Sequence, residues 1–233
     1  MRVIGLIGGM SWESSAEYYR LINTLTKTRL GPLHSAKSLM YTVDFAEIEA
    51  LQHAGRWDEA AEILVDAAGR LERGGAECLV LCTNTMHKLA DELQAATHLP
   101  LIHIADATAE RVKAKGVRKV GLLGTAFTME EAFYKGRLER FGLEVLIPDA
   151  PDRALVHRVI YDELCQGRIV PASKAEYVRV MQNLVAQGVE GVILGCTEIT
   201  LLVGQKDVSV PVFDTTRIHA EAAVAFALEK AYV

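Results

Sequence analysis

The chain has 233 residues, of which half are hydrophobic and 24% are charged, and its formal net charge is -5. This length is enough to bury a large core in one domain or in two. The acidic balance and the scattered basic residues disfavour a nucleic-acid partner, because binding to a phosphate backbone needs a basic surface.

The chain carries no recognisable targeting or membrane segment. Its apolar start is too short and too rich in glycine for a signal peptide. No apolar run reaches the roughly 18 residues that cross a bilayer. We therefore expect a cytoplasmic protein with no membrane partner. In that reducing compartment the cysteines are expected to be free thiols, at Cys78, Cys82, Cys165 and Cys196.

Short apolar runs alternate with amphipathic stretches along the whole chain. The runs predict strands that end at Ile7, Val43, Leu81, Ile104, Leu123, Leu146, Leu194 and Phe213. Apolar residues at helical spacing predict helices over residues 60–71 and 156–164. This alternation predicts parallel sheets that are covered by helices on both faces.

Two patterns recur in the same order in both halves of the chain. A first strand leads into a glycine-containing turn, and a later strand ends in Cys-Thr: Gly8-Gly9 then Cys82-Thr83 in the first half, Gly124-Thr125 then Cys196-Thr197 in the second. Short motifs of this kind also arise by chance in α/β chains. The repeat favours an α/β fold of two similar, doubly wound parallel-sheet domains that face each other across a cleft.

The predicted domain boundaries lie near residues 104 and 206. A strand is expected to end at the first boundary, and the final strand and helix, from Val210 onward, are expected to return to the first domain. The first domain is therefore predicted to comprise residues 1–104 and 206–233, and the second to comprise residues 105–205. Neither boundary carries a linker rich in proline or serine, so we expect closely packed domains.

Cys82 and Cys196 are the candidate catalytic residues. Each follows an apolar run that is typical of a buried strand, and each precedes a threonine and a polar segment that can begin a helix. Backbone N–H groups and the dipole at a helix N-terminus stabilise a thiolate. Two such thiols suit an acid/base pair that acts on opposite faces of one small substrate. The alternative is that both pack as small hydrophobic residues, which is also our interpretation of Cys78 and Cys165.

Other kinds of site find less support in the sequence. Gly5, Gly8 and Gly9 depart from the dinucleotide-binding pattern, and no phosphate-binding loop with the Gly-Lys-Ser/Thr ending is present. Cys82 and His87 lack the paired ligands of a metal site, so no metal is expected. Backbone N–H groups and hydroxyls suit a substrate carboxylate instead, with candidates at Thr83, Asn84, Thr85, Thr125, Thr128 and Thr197. Helix capping is the alternative role for these residues.

The motifs together resemble the aspartate/glutamate racemase superfamily, and in particular its amino-acid racemase branch, which includes aspartate racemases. The resemblance runs through essentially the whole chain, in the segments Gly8-Gly9-Met10-Ser11-Trp12, Cys82-Thr83-Asn84-Thr85-Met86-His87-Lys88, Gly124-Thr125 with Thr128-Met129, and Gly195-Cys196-Thr197-Glu198-Ile199. It implies two α/β domains that face each other across a cleft and an enzyme that needs no cofactor. It also implies a homo-oligomer, namely a dimer.

The resemblance also implies roles for particular residues. Cys82 and Cys196 match the two catalytic cysteines. Substrate-binding positions are implied at Met10, Gln52, Thr83, Asn84, Thr85, Thr125, Thr128, Thr197 and Glu198, with Gln52 reaching the substrate side chain. One departure concerns specificity. Aspartate-specific relatives tend to carry a lysine where this chain has Gln166, which predicts a broader substrate range unless Arg168 or Arg56 supplies the missing charge.

We therefore predict cofactor-independent racemisation of an amino acid, which is aspartate, glutamate or a broader range. One cysteine removes the α-proton, the other returns a proton from the opposite face, and a bound carboxylate delocalises the developing charge. The alternatives are a maleate isomerase-like or decarboxylase activity of the same superfamily, or a non-catalytic protein that binds small acids. A one-sided decarboxylase does not need both thiols, which disfavours it.

Overall fold

The computed structural model describes residues 1–229. The chain divides into two compact units. The first unit comprises Met1–His103 together with the C-terminal residues from His219 onward, and the second unit comprises Ile104–Ile218.

The first unit is built around a parallel sheet with the strand order β2-β1-β3. Its regular elements alternate along the chain: β1 (Ile4–Gly8), α1 (Trp12–Leu30), β2 (Ser38–Thr42), α2 (Phe45–His53), α3 (Trp57–Arg73), β3 (Cys78–Leu81), a short 3₁₀ helix (Thr85–Leu89) and α4 (Ala90–Ala96). In the centre of the sheet, Ile7 lies opposite Tyr41 on one side and Leu81 on the other.

The second unit is built around a parallel sheet with the strand order β5-β4-β6-β7. Its elements are α5 (Ile104–Ala114), β4 (Lys119–Gly124), α6 (Ala126–Glu130), α7 (Ala132–Arg140), β5 (Glu144–Leu146), α8 (Ala150–Asp162), a 3₁₀ helix (Leu164–Gln166), α9 (Pro171–Ala186), β6 (Gly191–Gly195), α10 (Ile199–Leu202), a 3₁₀ helix (Gln205–Asp207), β7 (Val212–Asp214) and the start of α11 (Thr215–Leu228).

The two sheets share one topology, which confirms the predicted α/β class with doubly wound parallel sheets. In each sheet the chain adds its second strand on one side of the first strand and its third strand on the other. The direction of winding therefore reverses between β1 and β3, and again between β4 and β6. In open parallel sheets such a reversal opens a crevice at the carboxyl ends of the two strands, where ligands bind.

Each sheet separates two hydrophobic cores, because successive side chains of a strand point to opposite faces. On the first sheet, Leu79 and Leu81 pack in one cluster, whereas Cys78, Val80 and Cys82 pack in the other. On the second sheet the residues of β6 divide in the same way, and Cys196 packs on the same face as Val192 and Leu194. Strands buried on both faces explain the continuous apolar runs of the sequence. Among residues 1–229, no helix combines the length and the apolar character needed to cross a bilayer.

The prediction of a strand ending at Ile104 is wrong. Leu101 forms a single parallel bridge with Leu79, and α5 begins at Ile104, whose side chain is buried in the second unit. A short apolar run does not distinguish a strand from the start of a buried helix. The single bridge occupies, beside β3, the position that β7 occupies beside β6.

The assignment of the last strand to the first domain also needs correction. β7 pairs in parallel with β6, with Phe213 opposite Ile193, so the strand belongs to the second unit. The division between the units falls at residues 218 and 219, within α11, rather than at residue 206. Apolar character revealed the strand, but it carries no information about which strand is its partner.

Candidate active site

The turn after β1 packs closely against the backbone of the residue that follows β2. Gly9 has a φ of +98°, and a Cβ at this position would lie 2.1 Å from the carbonyl oxygen of Val43. The N–H of Gly9 donates to Oγ of Ser15 at 2.7 Å, and this hydroxyl donates to the carbonyl oxygen of Ser11. Only glycine fits this backbone conformation without strain.

Cys82 follows β3 directly, beside the turn after β1. Its N–H donates to the carbonyl oxygen of Ile7 at 2.9 Å, and its own carbonyl oxygen accepts a hydrogen bond from Oγ of Ser14 at 3.1 Å. The side chain is 0% exposed, and its sulfur lies 3.8 Å from the carbonyl oxygen of Val80. The thiol is therefore held at the carboxyl edge of the first sheet by contacts from two neighbouring segments.

The expectation of a stabilised thiolate at Cys82 differs from what the structure shows. Burial raises the pKa of the Cys82 thiol far above its ordinary value. The segment that follows is a short 3₁₀ helix rather than a long α-helix, so it contributes little aligned dipole. Burial therefore favours the protonated thiol at Cys82, which needs a change of environment at the sulfur to act as a base.

The polar residues after Cys82 form a largely buried turn. Thr83 is half-buried, whereas Asn84 and Thr85 are buried. Nδ1 of His87 donates to the carbonyl oxygen of Thr83 at 2.7 Å, because a carbonyl oxygen accepts only. Three of the predicted substrate-binding residues therefore follow the candidate acid/base thiol directly in a single turn, which a hydrogen bond from a buried histidine stabilises.

Two other predicted binding residues of the first unit lie in its interior. Met10 is buried within the core that contains Ile7 and Leu81. Gln52 is buried on α2, where its amide nitrogen lies 2.9 Å from the sulfur of Met86. Contact of Gln52 with a substrate side chain stays a prediction.

A cluster of three buried histidines lies behind the turn. The ring of His87 lies 4.6 Å from that of His103 and 5.5 Å from that of His219, measured between centroids. Nε2 of His219 donates to the carbonyl oxygen of Ile102, so its Nδ1 accepts from the hydroxyl of Tyr18 at 2.8 Å. Burial lowers the pKa of His219 to about 4, which keeps this ring neutral near pH 7.

In the second unit, the turn after β4 carries two of the predicted threonines. Oγ1 of Thr125 accepts from the N–H of Thr128 and caps the short helix α6. The side chain of Thr128 fills the space beside Gly124 and Gly195, since a Cβ on either glycine would lie 3.1–3.3 Å from it. Nδ1 of His157 accepts from the N–H of Ala126 at 3.1 Å. Capping is thus one role of Thr125, and a carboxylate contact stays a prediction.

Cys196 follows β6 directly, beside the turn after β4, and is half-buried. Its thiol donates to Oε2 of Glu198 at 2.9 Å. The hydroxyl of Thr197 lies 2.8 Å from that of Thr216, at the start of α11. Burial is the main cause that raises the pKa of the Cys196 thiol, and the carboxylate of Glu198 raises it further. The helix that follows, α10, has four residues, which again explains why no thiolate is favoured.

The three residues that bear on the prediction for the distal end of a substrate make local contacts. The exposed amide of Gln166 donates to the carbonyl oxygen of Tyr161, and Arg168 donates to the carbonyl oxygen of Asp162. Arg56 is exposed and pairs with Glu59. All four cysteines are free thiols, and residues 1–229 contain no group of three His, Cys, Asp or Glu side chains placed to hold a metal ion.

Sequence reasoning missed Ser14, which holds the backbone of Cys82, and Thr216, which contacts Thr197. Each had a signal. Ser14 is the third residue after Ser11, the N-cap of α1, and it therefore lies in the first turn of that helix. Thr216 follows β7 in the segment Asp214-Thr215-Thr216, so a threonine follows this strand as it follows the cysteines after β3 and β6.

The chain has relatives of known family and structure. The family described as Asp/Glu/hydantoin racemase matches residues 7–223. A crystal structure of a Yersinia pestis protein assigned to the Asp/Glu racemases is 59% identical, with a TM-score of 0.93 over 98% of this chain and 100% of that chain. An aspartate racemase homologue from Pyrococcus horikoshii is 38% identical, with a TM-score of 0.86 over the same shares. The broad-specificity amino-acid racemase RacX of Bacillus subtilis is 26% identical over 167 residues, or 72% of each chain.

Proposed function

Because the chain belongs to the Asp/Glu/hydantoin racemase family, we propose that it racemises an amino acid without a cofactor, with Cys82 and Cys196 as the two acid/base groups. One thiolate removes the α-proton of the substrate, and the other thiol returns a proton to the opposite face of the same carbon. The two cysteines exchange these roles when the other enantiomer reacts.

The observation that carries this proposal is the matched placement of the two thiols. Each follows the strand that lies next to the first strand of its sheet, at the point where the winding of the sheet reverses. Chance packing of small hydrophobic residues does not account for the same position in both sheets. Each thiol is also accompanied by threonines whose hydroxyls suit a carboxylate: Thr83 and Thr85 in the first unit, Thr125, Thr128 and Thr197 in the second.

The chemistry needs an environment that this protein is suited to supply. The α-proton of an amino acid is weakly acidic, so its removal requires stabilisation of the carbanion through the bound carboxylate. Both thiols have raised pKa values, because burial disfavours the thiolate at each and the charge of Glu198 adds to this at Cys196. A thiolate formed in such a place is a stronger base than one in water, since its pKa lies closer to that of the carbon acid.

We propose a substrate range broader than the acidic amino acids. Gln166 is neutral, Arg56 is already paired with Glu59, and Arg168 is held by the carbonyl oxygen of Asp162, so we propose that none of these three residues supplies a charge to a side-chain carboxylate. A relative, RacX, is described as a broad-specificity amino-acid racemase. Neutral side chains avoid the cost of an unpaired buried charge.

The test is racemisation of single enantiomers by the purified protein, followed by chiral chromatography, with no cofactor added. Aspartate, glutamate, methionine and homoserine form the panel, and hydroxylamine, which traps pyridoxal phosphate, must leave the rate unchanged. The variant that carries both Cys82→Ala and Cys196→Ala is the control for contaminating racemases. Maleate isomerisation and loss of CO₂ from a malonate are assayed in parallel. Activity only in those two assays would overturn the proposal.

A further inference from the structure

The carboxylate of Glu198 is placed against the sulfur of Cys196 rather than left open to a ligand. Oε2 accepts the thiol hydrogen bond at 2.9 Å, and Glu198 is only 6% exposed. We propose that Glu198 is a positioning residue that orients the S–H of Cys196 and keeps the proton on this sulfur until a substrate is bound. This inference rests on the proposed function and replaces the substrate-binding role that the sequence predicts for Glu198.

The backbone of the turn after β6 makes this contact possible. The N–H of Ile199 donates to the carbonyl oxygen of Cys196, and the N–H of Leu201 donates to that of Glu198. This tight turn brings two side chains that are two residues apart onto the same side. In a regular helix residues with this spacing do not face each other. The contact is therefore a property of this particular turn.

The surroundings of Cys196 favour the protonated thiol. The titratable groups that interact with it are Glu198 in its own turn, Cys165 on the 3₁₀ helix Leu164–Gln166 and Tyr177 on α9, with Glu163 beside Tyr177. Each of these groups is neutral or negative. A thiolate at position 196 would lie against a carboxylate in a poorly solvated place, where repulsion between like charges is strong.

The two cysteines consequently differ in their resting environments. The sulfur of Cys82 lies near a neutral acceptor, the carbonyl oxygen of Val80, whereas the sulfur of Cys196 is bound to a carboxylate. The raised pKa of Cys82 has burial as its cause, and for Cys196 the charge of Glu198 adds to burial. Cys196 is therefore the thiol whose proton a carboxylate holds in the resting protein, whereas the sulfur of Cys82 has a neutral acceptor.

The carboxylate beside Cys196 acts on the step in which this cysteine gives up its proton. When Cys82 removes the α-proton, the electron pair of the C–H bond passes to the substrate, and the S–H bond of Cys196 breaks as its proton joins the α-carbon. The turnover leaves Cys82 protonated and Cys196 as a thiolate beside Glu198. Water then donates a proton to Cys196, favoured by the repulsion between the thiolate and the carboxylate, and Cys82 gives its proton to water, which restores the starting ionisation of both sulfurs.

The test measures the ionisation of Cys196 without using activity. Alkylation of Cys196 by iodoacetamide is followed across pH by peptide mass spectrometry in the full-length protein, its Glu198→Gln variant and, as the matched control, Glu176→Gln, which removes an exposed carboxylate in the same unit. We expect Glu198→Gln to lower the pH midpoint of alkylation by about one unit or more, which is a tenfold change in the ionisation constant. The control must keep the wild-type midpoint. The comparison uses the pH midpoint of alkylation rather than its rate. Altered access of iodoacetamide to the sulfur changes the rate but not the midpoint, so it does not imitate the expected shift.

Steady-state kinetics separate the two roles of Glu198. Loss of a positioning residue lowers kcat about tenfold or more with little change in KM, whereas loss of a substrate contact raises KM. Since the equilibrium constant of a racemisation is one, kcat/KM must change by the same factor for both enantiomers. An unchanged alkylation midpoint in Glu198→Gln would overturn the inference, whatever happens to activity. If that variant does not fold, Glu198→Ala takes its place with the same expected shift. A shifted midpoint in a protein that racemises no amino acid would leave the thiol–carboxylate pair standing and reject the proposed function instead.

Discussion

The hydroxyl of Ser14 donates to the carbonyl oxygen of Cys82 at 3.1 Å, and both residues are buried. Ser14 lies in the first turn of α1, where its own N–H is capped by the side chain of Ser11. The hydrogen bond therefore joins two segments that are 68 residues apart in sequence. It connects the turn that carries the candidate acid/base thiol to the first turn of α1, next to the glycine-containing turn after β1.

Removal of this hydroxyl should weaken both stability and activity. Ser14→Ala leaves the buried carbonyl group of Cys82 without this donor, which should lower the free energy of unfolding by about 1–2 kcal/mol and lower kcat. Urea unfolding and racemisation assays measure the two effects. Thr24→Ala removes a hydroxyl from the exposed face of the same helix and is the matched control. A Ser14→Ala variant as active as the control would show that this hydrogen bond does not position Cys82.

Both thiols should be required for racemisation. Cys82→Ala and Cys196→Ala each remove the acid/base group from one face of the substrate, so each should abolish racemisation and leave the circular dichroism spectrum unchanged. Each variant should still exchange the α-proton of one enantiomer with deuterium from the solvent, detected by NMR. Cys78→Ala, at the start of β3, is the matched control. Racemisation near the wild-type rate in either single variant would refute a mechanism with two bases.

The sequence predicted the placement of the two cysteines because two strong signals coincide there. A continuous apolar run marks a strand buried on both faces, and Cys-Thr marks its end, as for β3 and β6. The local sequence carries no comparable signal for which strands pair with each other. The short apolar run that ends at Ile104 leads into a helix, and the partner of β7 depends on residues that are distant in sequence. The contact of Glu198 with Cys196 depends on the shape of a single turn, which residue types alone do not specify.

Gly9 should tolerate no side chain. A Cβ there would overlap the carbonyl oxygen of Val43 at 2.1 Å, in addition to the strain of a positive φ. We expect Gly9→Ala to cost more than about 3 kcal/mol in the free energy of unfolding. Gly116 also has a positive φ, but a Cβ there would meet nothing within 4 Å, so Gly116→Ala should cost about 1 kcal/mol. Similar losses for the two variants in urea unfolding would argue against close packing in the turn after β1.

Substrate preference should respond to charge at position 166. Values of kcat/KM for aspartate, glutamate, methionine and homoserine should include measurable turnover of the two uncharged substrates. Gln166→Lys should raise the preference for aspartate over methionine by about tenfold, which corresponds to about 1.4 kcal/mol. Gln182→Lys adds the same charge on α9, away from the turn, and should leave the preference unchanged. Wild-type activity confined to aspartate and glutamate would mean that a cation other than residue 166 binds the distal carboxylate.

His219 should make the protein sensitive to acid. Its pKa falls from the ordinary value of 6.5 to about 4 in the folded protein, so between these values the unfolded chain binds a proton that the native chain does not. Stability should therefore fall as the pH drops from 6.5 towards 4, by about 3 kcal/mol in total. His219→Gln should reduce the slope of unfolding free energy against pH in that window. The exposed His34→Gln is the control, and equal slopes in all three proteins would exclude His219 as the cause.

The order of synthesis matters for the first unit, because α11 completes its core. Ala220, Ala223, Val224 and Ala227 of α11 fill the core beside β1 and β3, and the N–H of Arg2 donates to the carbonyl oxygen of Ala227. Translation must therefore continue through these residues before this core can close. The second unit is continuous in sequence, and its residues are complete earlier. During translation residues 1–103, which carry Cys82, therefore remain with an open core that a chaperone can recognise until α11 has been made.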